Sequence, residues 1–220
     1  MSLIRICLLG LAAQIAVSGS AAAQSSQAAG IRQPPLMDRE KEIALALSAC
    51  PPSLASQATV YVLDELGYVK ARDGENDFTA IVQHSLPTTQ EPQCMDAEGA
   101  RALLPRILKV AELRAQGKPP EEIKRFVADA FAKGVFRPPS RLGVDYMLST
   151  ENVVPLDPEK GTVGHFPAHV MFYAPYLTNA DLGSQNLAWP AFVAGSGTPN
   201  ALIIVPVPEA ASAGSGHEHR

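Results

Sequence analysis

The chain has 220 residues, a formal net charge of −4 at pH 7 and 46% hydrophobic residues. A chain of this length is sufficient for one domain with a sizeable hydrophobic core. The acidic balance disfavours a nucleic-acid partner, because nucleic-acid-binding proteins need a basic surface that displaces counterions from phosphates.

The first 23 residues have the pattern of a secretory signal peptide. Residues 1–5 form a short basic leader, residues 6–17 are apolar, and three alanines at 21–23 offer a cleavage site. The alternative is a membrane anchor, but this apolar run is shorter than the roughly 20 residues that span a bilayer. No later stretch is longer, so the sequence predicts a periplasmic or secreted protein with no membrane span after cleavage.

Two polar segments frame the predicted domain. Residues 24–37 are rich in Ala, Ser, Gln and Pro without hydrophobic periodicity, which predicts a disordered linker. Residues 209–220 are mostly small or polar and predict a disordered tail. Residues 38–208 are therefore predicted to form a single α+β domain.

The first helix of this domain is predicted to begin after Asp38, which is a good N-cap residue. Ile43, Leu47 and Cys50 follow at the spacing of one helix face. Two prolines directly after Cys50 should end the helix. Cys50 is then expected to face the core at the end of the helix.

Cys50 and Cys94 are the two cysteines that remain once the signal peptide is removed. An even pair in an exported chain predicts a disulfide. One alternative is two free thiols. A catalytic thiol is the least favoured alternative, because neither cysteine has a histidine or a cationic cluster close in sequence.

Three strands are predicted at 59–63, 68–72 and 78–84, where β-branched and aromatic residues are frequent. The connectors between them, at 64–67 and 73–76, consist of turn-forming residues. Such short connectors predict an antiparallel three-strand meander.

A helical hairpin is predicted next. Asp96 can cap its first helix, in which Pro105 marks a kink or a fresh first turn. The second helix has Pro119 at its beginning, an apolar stripe along one face and Gly134 at its end. Such a hairpin could dock a partner, but its stripe is more typical of a helix pair that covers one face of a sheet.

Three later strands are predicted at 144–148, 165–174 and 201–205, with a polar loop at 149–160. The last of these strands is continuously apolar, which is typical of a strand buried on both faces. Together with the meander, the N-terminal helix and the helical hairpin, these strands predict an α+β fold with a mostly antiparallel sheet.

The strand predicted at 165–174 is the best candidate for a binding site. One of its faces is wholly apolar, and the other combines imidazole, thioether and phenol groups. The loop after it adds hydroxyl, amide and carboxylate groups, although such residues are also common in turns and helix caps. The predicted ligand-binding residues of strand and loop are His169, Met171, Tyr173, Tyr176, Asn179 and Asp181.

His165 and His169 are separated by three residues, as in helical zinc motifs. In a strand, however, this separation is about 13 Å, so both rings cannot bind the same ion. Pro167 between them also disfavours a helix. The sequence therefore predicts neither a metal site nor a cofactor.

Residues 169–183 and 197–207, HVMFYAPYLTNADLG and GTPNALIIVPV, resemble a group of uncharacterised short exported bacterial proteins. The resemblance extends more weakly over the predicted meander and helical hairpin. It implies a single recurring domain and supplies no activity for any residue.

Three functions are compatible with these patterns. The favoured hypothesis is an exported domain that binds a small molecule or a partner, and it leans away from an enzyme. One alternative is a hydrolase in which His169 is the general base and Asp181 orients its ring. Another is an envelope protein whose sheet edge or helical hairpin binds another chain.

Overall fold

The computed structural model describes residues 33–157, 160–184 and 190–208. The predicted signal peptide, the predicted linker up to residue 32 and the predicted tail lie outside the described residues. The helices are α1 (Arg39–Ser48), α2 (Pro52–Ala55), α3 (Ala97–Ala102), α4 (Leu104–Ala115) and α5 (Pro120–Ala132). The strands are β1 (Thr59–Asp64), β2 (Gly67–Arg72), β3 (Thr79–Gln83), β4 (Glu91–Met95), β5 (Val144–Met147), β6 (Val153–Asp157), β7 (Thr162–His165), β8 (His169–Tyr173), β9 (Phe192–Ala194) and β10 (Leu202–Pro206).

Eight of these strands form one sheet in the order β2-β1-β3-β4-β5-β8-β10-β9, and β6 pairs with β7 in a separate hairpin. Every neighbouring pair in the large sheet is antiparallel except β1 and β3, which are parallel. Helices and a mostly antiparallel sheet make the fold α+β, as the sequence predicts.

The predicted three-strand meander is wrong in its pairing. β3 does not extend the β1–β2 hairpin but lies on the other side of β1, parallel to it. The connector after β2 crosses the beginning of β1, where Glu75 and Asn76 donate backbone N–H groups to the carbonyl of Gln57. The side chain of Asn76 also donates to the carbonyl of Leu54 (3.0 Å). These hydrogen bonds anchor the crossover and start β3 beside the beginning of β1.

The local signals for helix ends act as predicted. The Asp38 carboxylate accepts the Lys41 N–H (3.1 Å), and the Asp96 carboxylate accepts the Gly99 N–H (3.0 Å), so both acids are N-caps. Pro105 lies in the first turn of α4. It therefore marks a fresh helix after α3 rather than a kink within one helix.

The second half of the sheet departs further from the predicted elements. The expected strand over 165–174 is two strands, because Pro167 lacks an N–H and interrupts the pairing: β7 pairs with β6, whereas β8 pairs with β5 and β10. β6 lies within the segment predicted as a polar loop. In β10 only Ile204 is buried, so the prediction of burial on both faces is wrong. α1 packs against β1, β3 and β4, which leaves β10 without this cover.

One hydrophobic cluster lies between α1 and the sheet. Leu45, Ala46 and Ala49 of the helix side pack against the inward side chains of β1 and β3. Cys50 and Cys94 form a disulfide with a Cα–Cα distance of 5.1 Å, which confirms the predicted pair. The bridge ties the end of α1 to β4 in the middle of the sheet.

A second cluster lies on the opposite face of the sheet. Leu104 and Ile107 of α4 pack there with Ile81, Met95 and Tyr173. α5 packs against α4. The first helices of the chain and the helical hairpin therefore cover opposite faces, and the α4 face continues beyond the helix as an open concave surface.

Candidate ligand-binding cavity

A cavity of about 760 Å³ lies on the α4 face of the sheet, over its second half. Residues of five strands form its floor, and those of β4, β8 and β10 are alternate residues, since side chains two apart on a strand share a face. The pairing places Met147 opposite His169, Met171 opposite Ile204, and Ile204 opposite Phe192. Glu91 and Gln93 of β4 continue the floor toward α4. The floor is thus built on paired strands, which hold its side chains in a fixed arrangement.

The walls of the cavity come from three directions. The beginning of α4 contributes Arg106 and Ile107. The β6–β7 hairpin contributes Val154 and the residues next to it, and an isolated bridge between Gln90 and Val153 ties this hairpin to the sheet. Loops after β8 and β9 complete the walls. Most of the lining side chains are apolar, so the cavity suits a ligand with a large apolar part.

His169 is buried at the floor of this cavity, with 3% of its surface exposed. Its Nδ1 lies 2.8 Å from the carbonyl oxygen of Pro167, which fixes Nδ1 as the protonated nitrogen. The ring also contacts Phe166 edge to face, with 5.0 Å between centroids. Burial lowers the pKa of His169, so its imidazole is neutral at pH 7.

Met171 and Asn179 line the same cavity as His169. The Asn179 side chain accepts the Val193 N–H (2.7 Å) and donates to the Val193 carbonyl (3.1 Å). Its amide therefore fixes the wall loop to β9. The structure brings these three predicted residues together around one space.

The other three predicted residues lie outside the cavity lining. The Tyr173 hydroxyl is in the core, 2.9 Å from the Val144 carbonyl and 3.1 Å from the Asp96 carboxylate. Tyr176 is exposed, with a positive φ of 66°. The exposed Asp181 accepts hydrogen bonds from the N–H and hydroxyl of Thr178, so it closes its own turn.

The hydrolase alternative requires Asp181 to orient the ring of His169. No hydrogen bond joins His169 to Asp181, since each makes its own local bonds. His165 lies in β7, where its Nε2 is 2.8 Å from the Thr150 carbonyl. Within the described parts of the chain, no group of three or more His, Cys, Asp or Glu side chains is placed to hold a metal ion.

Sequence reasoning missed the charged end of the cavity. Glu91 is buried there and accepts hydrogen bonds from the N–H (3.1 Å) and hydroxyl (2.6 Å) of Ser85. Burial is the main reason that the pKa of Glu91 is raised, while the bonds from Ser85 oppose this change. Arg114 donates to the backbone carbonyls of His84 and Ser85, the second at 2.5 Å. Burial lowers the pKa of Arg114.

Arg106 lies between this charged end and the apolar floor. A second cavity of about 120 Å³ shares Arg106, Ile107, Gln83 and Ser85 with the large one, so Arg106 stands where the two spaces meet. One sequence signal could have indicated this end. Arg114 follows Ile107 by seven residues, so a charged residue continues the buried stripe of α4.

Comparison of the chain with protein-family models, with curated proteins and with solved structures finds no match. Of the helices in the described ranges, none has the length and apolar character needed to cross a membrane.

Proposed function

We propose that this chain is an exported binding protein for a small, largely apolar molecule that occupies the cavity over β4, β5, β8, β10 and β9. The observation that carries the proposal is the cavity of about 760 Å³ with its mainly apolar lining. Small-molecule sites typically have about 300–1,000 Å³, an apolar lining and a few fixed polar groups. This cavity has that size and composition.

Two further features support a binding role. The floor side chains stand on hydrogen-bonded strands, so the cavity exists without rearrangement of the backbone. His169 is held neutral by burial and keeps Nδ1 engaged with Pro167, which leaves the other ring nitrogen as one fixed polar group in an apolar site. The Cys50–Cys94 bridge agrees with an oxidising compartment, as expected for export.

The proposal can be tested with Nile red, a neutral dye that fluoresces in apolar sites, titrated into the mature chain. We expect saturable binding of one dye per chain. Ala194 lines the cavity from the edge strand β9 and is half-buried, so Ala194→Trp should fill the space and weaken binding about tenfold or more. Ala132→Trp, at an exposed position of α5, is the matched control and should bind normally.

Two results would overturn the binding role. One is the absence of saturable dye binding to a chain that circular dichroism shows to be folded. The other is equal binding by the Ala194→Trp variant and the unchanged chain, because the dye would then occupy some other surface.

A further inference from the structure

Arg106 lies in the wall of the cavity and has no hydrogen-bond or ion-pair partner among the described residues. Its Nε is shielded from solvent. A guanidinium has five N–H donors in a fixed planar fork. An N–H that is shielded from water without a partner, as the Nε–H of Arg106 is, is unfavourable, and proteins ordinarily satisfy such a donor.

The charged groups around Arg106 do not supply hydrogen-bond partners for its guanidinium. Glu91 is the acidic group whose field acts on Arg106, but it makes no ion pair with Arg106, and its two oxygens accept the Ser85 hydrogen bonds. Arg114 lies near as a second cation, and it is already engaged with backbone carbonyls. Two guanidinium groups therefore face one carboxylate, and this end of the cavity has an excess of positive charge.

The apolar floor extends from the same arginine. Met147, Met171, Ile204 and Phe192 form a hydrophobic cluster that lines the cavity away from α4. A ligand with one charged head and an apolar body would match both parts at once. A carboxylate fits this single fork best, because two parallel N–H···O bonds can form between a guanidinium and a carboxylate. A phosphate dianion carries two negative charges, which the single positive charge of Arg106 does not balance, whereas a carboxylate carries one.

We infer that the ligand is an amphipathic monocarboxylate, with its carboxylate bound by Arg106 and its apolar chain on the Met147, Met171, Ile204 and Phe192 floor. The inference rests on the proposed function, since it names the class of ligand for the same cavity. It assigns Arg106 as the residue that selects an anionic head over a neutral one.

The test compares decanoate with decanol, which share a chain and differ in the charge of the head. Each is measured by displacement of Nile red and by calorimetry on the mature chain. We expect decanoate to bind about 10- to 100-fold more tightly than decanol, in line with a charge-assisted bidentate pair. Arg106→Met should remove this preference, whereas Arg106→Lys should retain part of it, because it keeps the charge and loses the fork.

A second readout keeps the test meaningful if a variant binds poorly. Arg106→Met removes a half-buried, unpaired charge, so its ligand-free form should melt at a temperature no lower than that of the unchanged chain. Loss of decanoate binding in a variant of undiminished stability then reports a lost contact rather than a lost fold. Arg125→Met, at an exposed position of α5, is the matched control and should leave both affinity and stability unchanged.

The outcomes separate the two proposals. If Nile red binds and Ala194→Trp blocks it, but decanoate and decanol compete equally, the inference about Arg106 is overturned and the binding function stands. A preference for decanoate that survives in Arg106→Met would also overturn the inference. If neither the dye nor decanoate binds, both proposals fail.

Discussion

Glu42 offers a test of how burial controls the stability of this fold. Its side chain lies on α1, and 1% of the residue surface is exposed. One carboxylate oxygen accepts the Leu63 N–H at 2.7 Å, and the other has no hydrogen-bond partner among the described residues. Burial raises the pKa of Glu42 from 4.5 to about 7, while the Leu63 bond and the positive charge of Arg39 oppose the rise.

The sign of the stability change follows from this raised pKa. In the unfolded chain Glu42 loses its proton near pH 4.5, whereas in the folded chain it keeps the proton until about pH 7. The folded state is therefore favoured by this group below pH 4.5, and that contribution is lost as the pH rises to about 7. The difference between 7 and 4.5 is 2.5 pKa units. At 1.36 kcal/mol per unit, this corresponds to about 3 kcal/mol in the free energy of unfolding.

Glu42→Gln keeps an oxygen for the Leu63 N–H and cannot ionise, so it should remove this dependence on pH. We expect the variant to be more stable than the unchanged chain by about 3 kcal/mol at pH 8 and by little at pH 4. Urea unfolding followed by circular dichroism at pH 4, 5, 6, 7 and 8 measures the difference. Glu40→Gln, at an exposed position of the same helix, is the control. A difference that does not change with pH, or a less stable variant at pH 8, would refute the reasoning.

Two further predictions concern other bonds of the framework. Replacing both Cys50 and Cys94 by alanine should lower the free energy of unfolding by about 2–5 kcal/mol, because the bridge closes a long loop, and urea unfolding under oxidising conditions measures the loss. An equally stable variant would contradict this. Glu98 behaves in the opposite sense to Glu42, since its hydrogen bond from Arg101 is the main cause that lowers its pKa to about 2. The stabilising contribution of Glu98 is present above pH 4.5 and is lost as the pH falls toward 2. Glu98→Gln should therefore lower the free energy of unfolding by about 2 kcal/mol at pH 7 and by little at pH 2, as measured by urea unfolding at both pH values. A cost that is the same at both pH values would count against the ion pair.

The elements that sequence reasoning placed correctly are those with a local cause. Asp38 and Asp96 cap helices through side chains that reach backbone N–H groups three residues on, and such contacts depend on few residues. β1 and β2 follow the alternation of their own residues across a two-residue turn. The Cys50–Cys94 pair could be predicted because only one pairing remains once the predicted signal peptide, with Cys7, is left out.

The parallel pairing of β1 and β3 could not be predicted in the same way. It depends on hydrogen bonds between the crossover at Asn76 and the chain before β1, which are contacts across more than fifteen residues. β4 was missed for a related reason. Its sequence, Glu91–Met95, contains proline and two polar residues, and it is a strand only because β3 and β5 pair with it on both sides.

In the candidate site, too, the residues that could be predicted are those related by a local pattern. His169 and Met171 could be placed on one face because a strand alternates with a period of two, and Asn179 follows them closely in the chain. Tyr173 shares that alternation but lies beneath the region that α4 covers, so its hydroxyl belongs to the core. Arg106 comes from a distant helix, and no periodicity within residues 165–183 relates it to His169.

The two faces of strand β4 contact different parts of the structure. Cys94 points toward α1 and holds the bridge, whereas Glu91 and Gln93 line the cavity on the other side. Substitutions at the cavity-facing positions therefore change the lining of the cavity and leave in place the residues that cross-link and fill the opposite core. If the cavity binds a ligand as proposed, the residues that contact the ligand and the residue that cross-links the core occupy alternate positions of the same five-residue strand.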